Sequence, residues 1–333
     1  MRAKSDAAIY RPDLGIAVLE YAEGATMGLI GTQLMPVFPT SLQAASYPVI
    51  PKEALMKLPD VNRAPRGRYN RGDWEYERGK FSTSEKGWEE PVDDAERKLL
   101  DREAPGMADF VATKRGMNHI LKRQEKRIAD ILFSETYFSA NAITHEWDDA
   151  TNAVPIDDVN DGVLSFRSAC GMLPDALVIA YSTFQDLKNC DQIVNRLKYT
   201  FPGLDINRMS SQQLAAVLNV PQVLIGGAVY DSAGRGLDAS IADMWSNEYA
   251  ALVKIANKED FAEPGLGFTF LWTEDSPENP IVEQYREEQT RSDIFRVRHH
   301  VDECLMKSYD SSGNAVSDIA AACVYLFGNV TTI

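Results

Sequence analysis

Residues 1–92 contain too few regularly spaced apolar side chains to form a hydrophobic core of their own. Prolines interrupt the first part of this stretch, and each proline restricts the continuation of a helix. These prolines are Pro12, Pro36, Pro39, Pro48 and Pro51. Such a segment must lie on the rest of the chain or on a neighbouring molecule, so we expect a fold with an extended N-terminal part.

Residues 52–90 predict a long two-stranded excursion with few core residues. The alternation in residues 73–77 predicts a short strand with its aromatic side chains on one face, and residues 80–84 together with Trp88 predict a return strand. An isolated hairpin is only marginally stable in water. Two interpretations stay open: a floppy surface insertion, or a hairpin that is ordered by packing on another subunit.

Charge is distributed unevenly along the chain. Residues 62–80 carry a net charge of +3, whereas residues 258–293 carry a net charge of −7. Within one subunit these blocks can neutralise each other. In an assembly, the same arrangement would let one copy dock on the next.

Length, charge and cysteine spacing exclude several classes of protein. A chain of 333 residues predicts about two domains. A net charge of −15 argues against a general nucleic-acid coat, which needs an excess of cations, but leaves open a protein that surrounds DNA without gripping it. The cysteines have no CxxC spacing, so we expect buried, reduced thiols and no zinc site.

The sequence also argues against membrane insertion and secretion. No apolar run reaches the ~18 residues that a membrane-spanning helix needs. Ser5 and Asp6 follow the basic residues of the N-terminus where a signal peptide would have an apolar run.

A long helix is predicted from residue 107 to residue 138. Its apolar stripe recurs at steps of seven and four residues and consists of Phe110, Met117, Leu121, Ile128 and Leu132. The opposite face is basic and consists of Lys114, Arg115, Lys122, Arg123, Lys126 and Arg127. This face is either solvated or contacts an acidic surface of a neighbouring subunit.

From residue 156 onward, short alternating elements predict a compact α+β unit. The predicted helix is 159–172 and the predicted strands are 176–181, 221–225, 249–255 and 267–272. The pairs Ser182–Gln185 and Ser210–Gln213 have capping-box spacing. A long strand over 294–309 places Phe295, Val297, Val301 and Leu305 on one face, and a last strand is predicted over 320–327.

The sequence contains no nucleophile elbow, no phosphate-binding loop and no zinc-protease motif. His299 and His300 are adjacent on a predicted strand, so they face opposite sides and cannot share a metal. We therefore expect no catalytic residues, no metal site and no cofactor, and a protein that is not an enzyme.

The order of motifs in residues 147–230 resembles that of a known family. A tryptophan and a Pro-x-Asp-Asp helix start precede a Pro-Asp-x-Leu-Val strand and a short helix; these pieces are Trp147, Pro155–Asp158, Pro174–Val178 and Phe184–Asn189. This order resembles the major capsid proteins of tailed bacteriophages, which have the Hong-Kong-97-type fold. The motif match covers about a quarter of the chain, and the order of elements covers nearly all of it.

The resemblance implies an α+β capsid fold with four parts. These are an N-terminal arm (1–47), an extended loop (48–92), a peripheral domain (93–154 and 276–312) and an axial domain (155–275 and 313–333). The helix at 107–138 would be the spine helix of the peripheral domain, and the strand at 294–309 its long strand.

The resemblance also implies that the chain assembles with itself into pentamers and hexamers of an icosahedral shell around double-stranded DNA. A scaffolding protein, a portal and a decoration protein would be further partners, with no sequence-specific DNA binding and no membrane. The protein would be assembled in the host cytoplasm and reside in the virion. Some members carry a scaffolding segment ahead of the arm; here the arm begins at once, so we expect a separate scaffolding protein or a mature form.

Two sets of residues are predicted to lie at subunit interfaces. In the extended loop they are Arg63, Arg66, Arg68, Arg71, Trp74, Tyr76, Phe81 and Trp88. In the spine helix they are the six basic residues of the face opposite the apolar stripe. Two alternatives remain from the sequence: an encapsulin-type shell protein that holds cargo enzymes, and an unrelated acidic enzyme with a cryptic site.

Overall fold

The computed structural model describes residues 8–15, 28–51, 56–63, 65–72, 77–102, 104–200, 209–234, 236–258, 263–310 and 314–331. The helices with both ends in these residues are α1 Gly31–Leu34, α2 Asp94–Leu100, α3 Met107–Leu132, α4 Pro155–Cys170, α5 Tyr181–Asn189, α6 Asp191–Thr200, α7 Ser211–Leu218 and α8 Ile319–Ala322.

The strands form four sheets. The first strands are β1 Ile9–Tyr10, β2 Val37–Thr40, β3 Ala44–Val49, β4 Glu77–Ser82, β5 Ser84–Asp93, β6 Ala140–Ala142, β7 Ala176–Ala180 and β8 Gln222–Gly226. The others are β9 Val229–Asp231, β10 Ile241–Asp243, β11 Ala250–Val253, β12 Gly267–Trp272, β13 Ile281–Glu287, β14 Ser292–Leu305, β15 Lys307–Tyr309, β16 Ala315–Asp318 and β17 Val324–Gly328.

The long helix α3 packs on a six-stranded sheet of order β1-β13-β14-β12-β2, with β5 also paired to β14. Met117 and Ile120 of the helix are buried against Val282 and Val297 of the sheet. Gly116 permits the close approach, because a Cβ atom there would lie 2.7 Å from Cγ2 of Val297. The predicted apolar stripe of the helix is therefore confirmed.

The predicted far end of this helix is wrong. The helix ends at Leu132, since Phe133 leaves the helical backbone conformation at φ −94° and ψ 52°. Phe138, which we placed in the helix, instead lies in a buried cluster with Leu132. Apolar residues beyond Leu132 led us to extend the predicted helix, because the sequence pattern does not show that the backbone is no longer helical there.

The second half of the chain is built on a mixed five-stranded sheet of order β6-β17-β11-β7-β8. Every residue of β7 and β11 is buried, as the predicted apolar runs require. The capping box at Ser210 and Gln213 is present at the start of α7. The one predicted at Ser182 is not, because Ala180 already occupies the N-cap position of α5.

The alternating face predicted for the long strand is confirmed, since Phe295, Val297 and Val301 of β14 are fully buried. The predicted bounds are shifted toward the C-terminus: β14 begins at Ser292 and ends at Leu305, and a separate strand, β15, follows. The predicted last strand also divides into the short helix α8 and the strand β17. The chain passes from the six-stranded to the four-stranded sheet at the first break, and from a helix to a strand at the second.

A four-stranded sheet of order β16-β15-β4-β3 supports the excursion. β4 pairs with β3, from Ala44↔Ser82 to Val49↔Glu77, and with β15 at Tyr309↔Arg78, so residues 80–82 of the predicted return strand lie beside β3. Tyr47 lies directly opposite Gly79, and a Cβ atom at that glycine would lie 2.4 Å from the tyrosine ring. Residues 73–76 lie outside the described residues.

A buried cluster of ion pairs joins α2 and α3 to the hairpin of β13 and β14. The guanidinium of Arg97 contacts Asp109 at 2.7 Å and Asp293 at 2.8 Å. Arg286 pairs with Asp94 at 2.9 Å and with the other oxygen of Asp293 at 3.3 Å. Asp293 is fully buried, so its charge depends on these two arginines.

Glu125 of α3 holds the N-terminal part of the chain and the second half of the chain together. Its carboxylate accepts hydrogen bonds from the backbone N–H groups of Ile30 and Gly31, at 2.9 and 2.8 Å, and from the indole N–H of Trp245 at 2.8 Å. Burial raises the pKa of Glu125 above its ordinary value, although the three hydrogen bonds act in the opposite direction.

Candidate subunit interfaces

In the structure the excursion is the segment 50–76, which connects the end of β3 to the start of β4. Val49 and Glu77 are the last paired residues of the two strands, so residues 50–76 depart from and return to adjacent positions. Three large apolar side chains of this segment face solvent: Leu58 is 98% exposed, Val61 83% and Tyr69 71%. Exposed apolar groups concentrated on one projection are typical of a surface that binds a partner.

The described parts of the excursion, 56–63 and 65–72, are held mainly by local contacts. Nε of Arg63 donates to the carbonyl oxygen of Gly67 at 2.7 Å, and its guanidinium lies 4.6 Å from the centre of the Tyr69 ring. Asn70 donates from its side chain to the carbonyl oxygen of Asp60 at 2.8 Å. We call residues 56–63 and 65–72, together with the segment up to residue 76, the tip of the excursion. The contacts of Arg63 and Asn70 hold the described part of the tip in shape without burying its apolar side chains.

The predicted interface arginines lie on this tip. Arg63, Arg66, Arg68 and Arg71 are all exposed. Among the described residues, Arg66, Arg68 and Arg71 form no ion pair. Trp74 and Tyr76, the aromatic residues predicted beside them, lie outside the described residues.

Phe81 requires a correction, because its side chain lies in the chain's own core. It is 8% exposed, and its ring stacks on Phe270 of β12 with centroids 4.1 Å apart and an interplanar angle of 10°. Tyr47 packs on the same Phe270 ring at 5.3 Å. The predicted return strand is thus part of the folded subunit, and Phe81 fixes it there.

Phe81→Leu is expected to lower the free energy of unfolding by about 1–2 kcal/mol, because it removes a stacked ring from a packed core. Leu58→Ala, at a fully exposed position, should change this free energy by less than about 0.5 kcal/mol. Urea denaturation of the unassembled subunit measures both. Equal effects of the two substitutions would contradict this placement of Phe81.

Trp88 lies on β5 of the six-stranded sheet and not in the projecting segment 50–76. It pairs with Val297 of β14, and its ring is 4.8 Å from that of His119 on α3. Its indole N–H donates to Glu90 at 2.8 Å. The side chain remains 47% exposed, so it still offers apolar surface at the side of the helix.

Part of the basic face of α3 is used within the subunit. Arg127 donates two hydrogen bonds to Glu303 of β14, at 2.6 and 3.0 Å, and Lys86 reaches the same carboxylate at 2.9 Å. Burial acts to raise the pKa of Glu303, but the hydrogen bond from Arg127 and the charge of Lys86 lower it below its ordinary value. Arg127 therefore neutralises a buried acid of its own chain.

The neighbouring Lys126 pairs with Asp130 and lies 5.4 Å from the centre of the Tyr230 ring. Arg115 and Arg123 are exposed, and Lys114 is partly exposed. Lys122 lines a cavity of about 500 Å³ together with Gly28 and Tyr181. The basic surface that remains for a partner is therefore smaller than the sequence predicted.

The acidic block is also paired within the subunit to a large extent. Arg298 contacts Asp275 at 2.6 Å and Glu283 at 2.9 Å, and Asp293 belongs to the buried cluster with Arg97. These three carboxylates are neutralised inside one copy by Arg298, Arg97 and Arg286, and not by the basic block at 62–80.

The described residues provide no group of histidine, cysteine and carboxylate side chains that could hold a metal ion. The two adjacent histidines contact different partners: Nδ1 of His299 lies 2.9 Å from the Asn279 side chain, and Nδ1 of His300 lies 2.9 Å from the Thr83 hydroxyl. Burial and the charge of Arg127 lower the pKa of His299 to about 3, so its imidazole is neutral. Within the described residues, no helix combines the length and the apolar character that a membrane crossing requires.

Comparison with solved structures identifies the architecture. A phage-related protein from Bordetella bronchiseptica superposes with a TM-score of 0.67 at 21% identity, over 97% of this chain and 98% of that one. The putative capsid protein of an E. coli prophage gives a TM-score of 0.52 at 9% identity, over 97% and 99% of the two chains. The chain has the Hong-Kong-97-type fold of phage capsid proteins. The resemblance stated from the sequence is confirmed.

A sequence relative and a further capsid structure agree with the Hong-Kong-97-type fold. The chain is 26% identical over 280 residues to the major capsid protein of Burkholderia phage BcepMu, covering 80% of this chain and 86% of the relative. The structure from Mycobacterium phage Cain gives a TM-score of 0.51 at 11% identity, over 91% and 90% of the chains. No family model matches the sequence.

Sequence reasoning missed the residues that connect the excursion to the fold. Tyr47 and Val49 alternate with exposed residues, which was a usable strand signal, but the prolines nearby favoured an irregular arm. The pairs Arg97–Asp293 and Arg127–Glu303 had no signal at all, since their members lie far apart in the sequence.

Proposed function

We propose that this chain is the major capsid protein of a tailed bacteriophage and assembles into pentamers and hexamers of an icosahedral shell around double-stranded DNA. The observation that carries the proposal is the Hong-Kong-97-type fold over nearly the whole chain, combined with an excursion that exposes Leu58, Val61 and Tyr69. A neighbouring subunit is the partner that would cover these side chains at every position of a closed shell.

The parts of the fold then take the roles that the sequence predicted. The arm is 1–47 and the extended loop is 48–92, with its projecting part at 50–76. The peripheral domain is 93–154 and 276–312, and the axial domain is 155–275 and 313–333. The role is structural, without catalysis.

Two surfaces are proposed to contact neighbouring subunits. The first is the tip of the excursion, with Arg63, Arg66, Arg68, Arg71, Trp74 and Tyr76. The second is the exposed part of the α3 basic face, with Lys114, Arg115, Lys122 and Arg123, and the exposed edge of Trp88 beside it. Lys126 and Arg127 support this face through their contacts within the chain.

The environment of the shell follows from the same proposal. A net charge of −15 suits a container, because a strongly basic lining would hold the packaged polymer tightly. We propose assembly in the host cytoplasm with a scaffolding protein, a portal and a decoration protein as partners. The virion is the final location.

Electron microscopy of the full chain, expressed with the scaffolding protein of the same genome, tests the proposed function. Closed shells of uniform diameter are expected. Shells loaded with a cargo protein in place of nucleic acid would favour an encapsulin-type compartment. A protein that sediments as a monomer under all conditions would contradict the proposal.

Reversing the charge of the tip is expected to impair assembly. Arg66, Arg68 and Arg71 changed together to Glu should reduce shell yield at least about tenfold, since like charges placed at a contact cost several kcal/mol. The matched control changes the same three residues to Lys and keeps the charge. Unchanged particle counts for the Glu variant would show that charge at the tip does not contribute to assembly.

A further inference from the structure

Two buried thiols meet between α4 and the last strand of the chain. Cys170 is the final residue of α4, and Cys323 lies between α8 and β17. Their Sγ atoms are 3.3 Å apart. Both side chains are buried in the main core cluster, although the residues are separated by 153 positions in the sequence.

We propose that Cys170 and Cys323 form an intramolecular disulfide when the folded subunit meets a low-molecular-weight disulfide such as oxidised glutathione. One cysteine thiolate attacks the small disulfide and releases one small thiol, leaving a mixed disulfide. The second cysteine then attacks the protein sulfur of this intermediate and releases the second small thiol. The two cysteines lose two protons and two electrons, and the small disulfide gains both.

The positions of the two residues allow the bond to form with small movements. A disulfide has an S–S distance of about 2.05 Å, so the sulfur atoms must approach by about 1.3 Å. Both cysteines stand at helix ends: Gly171 ends α4 in the left-handed conformation at φ 79°, and Cys323 caps the four-residue helix α8. A short terminal segment can adjust where the middle of a long helix could not.

The other two cysteines are placed differently. Cys190 lies 3.6 Å from the carbonyl oxygen of Ala153, and Cys304 lies 3.3 Å from that of Lys80 on another sheet. Both of these contacts are with backbone oxygen atoms and not with a second sulfur atom. The structure therefore selects one pair out of four cysteines.

The bond would tie α4 to β17, which pairs within the five-stranded sheet, and would close a long loop of the chain. A crosslink across a long loop stabilises a protein mainly by restricting its unfolded state. The time of formation rests on the proposed function, because a released virion leaves a reducing cytoplasm for an oxidising medium. The capacity of the pair to bond does not depend on that function.

The test uses the full chain, purified in reductant and divided into two treatments with oxidised glutathione. One sample is incubated in the folded state and the other is refolded from denaturant. Each is then denatured and alkylated, and its intact mass and non-reduced peptides are measured. We expect two alkylated thiols in place of four, one crosslinked peptide pair holding Cys170 and Cys323, and a melting midpoint about 5 °C higher than that of reduced protein.

Variants make the assignment specific. Cys170→Ser and Cys323→Ser should each lose the crosslinked peptide, whereas Cys190→Ser should keep it. Four alkylated thiols in the sample treated in the folded state, or a crosslink between a different pair in either sample, would overturn the proposal. A midpoint that does not rise on oxidation would overturn the stabilising role. The unassembled subunit suffices for these measurements, so failure to form shells would not affect their outcome.

Discussion

Arg97→Met is expected to lower the free energy of unfolding of the subunit by about 3–5 kcal/mol. The substitution removes one partner from a buried ion-pair cluster, and the loss of a single partner is costly because it leaves charges without compensation in a medium of low dielectric constant. Asp109 is 3% exposed and Asp293 is fully buried, so water cannot take the place of the guanidinium. Methionine keeps most of the side-chain volume, which limits the contribution of a cavity.

The position of Arg97 between two buried carboxylates explains why its replacement should lower the free energy of unfolding. Arg97 bridges Asp109 of α3 and Asp293 of β14, so it joins the helix to the sheet beneath it. Arg286 remains beside Asp293 at 3.3 Å. The variant is therefore expected to loosen the contact between α2, α3 and the hairpin of β13 and β14.

Arg296→Met is the matched control, because it makes the same Arg-to-Met substitution at a solvent-facing position of β14, the strand that carries Asp293. The Arg296 side chain is 36% exposed and pairs with Glu89, which is 44% exposed, so the expected loss is at most about 1 kcal/mol. Denaturant titration of both variants as unassembled subunits measures the difference. Similar losses for the two variants would contradict the account of the buried cluster.

Replacing residues 50–76 by Asn-Gly is expected to leave a folded subunit that forms no shells. Val49 and Glu77 are paired in register, so a two-residue turn can connect β3 to β4 without displacing either strand. Phe81 and Tyr47 remain in place, and the core cluster around Phe270 is preserved. The variant removes the exposed apolar and basic side chains of the tip and leaves the six-stranded sheet that packs on α3 intact.

Far-ultraviolet circular dichroism and the melting midpoint of the subunit check that the shortened variant is folded, and electron microscopy counts its particles beside those of the parent chain. A midpoint within a few degrees of the parent and an absence of closed shells are expected. Particles of normal size and number would show that the excursion is dispensable for assembly. An unfolded variant would instead show that residues 50–76 stabilise the subunit itself.

Local sequence patterns predicted much of the secondary structure. The stripe of Met117 and Ile128, the buried face of Phe295 and Val297, and the capping box at Ser210 are each set by side chains within a few turns or strand positions of one another. Such patterns depend on helical or strand periodicity alone. They therefore indicate which face of an element is buried before the partner of that face is known.

The partners of those faces could not be predicted, because they come from distant parts of the chain. From the sequence we predicted Phe81 to be an interface residue on a projecting loop, whereas in the structure it stacks on Phe270 of β12. Nothing in the sequence separates Arg127 from the other five basic residues of α3, whereas in the structure it forms an ion pair with Glu303 of β14. For this reason the predicted interface was too broad: Phe81 and Arg127 contact their own chain, and the interface that we propose consists of the tip of the excursion and the exposed part of α3.

The central claim is that residues 50–76 gain stable structure from an adjoining copy of the chain. Hydrogen–deuterium exchange tests it directly by comparing backbone amides of residues 56–63 and 65–72 in dilute subunits and in assembled shells. We expect exchange close to that of an unstructured chain in the subunits and strong protection in the shells, while β14 stays protected in both. Equal and strong protection of the tip in dilute, unassociated subunits would contradict the claim.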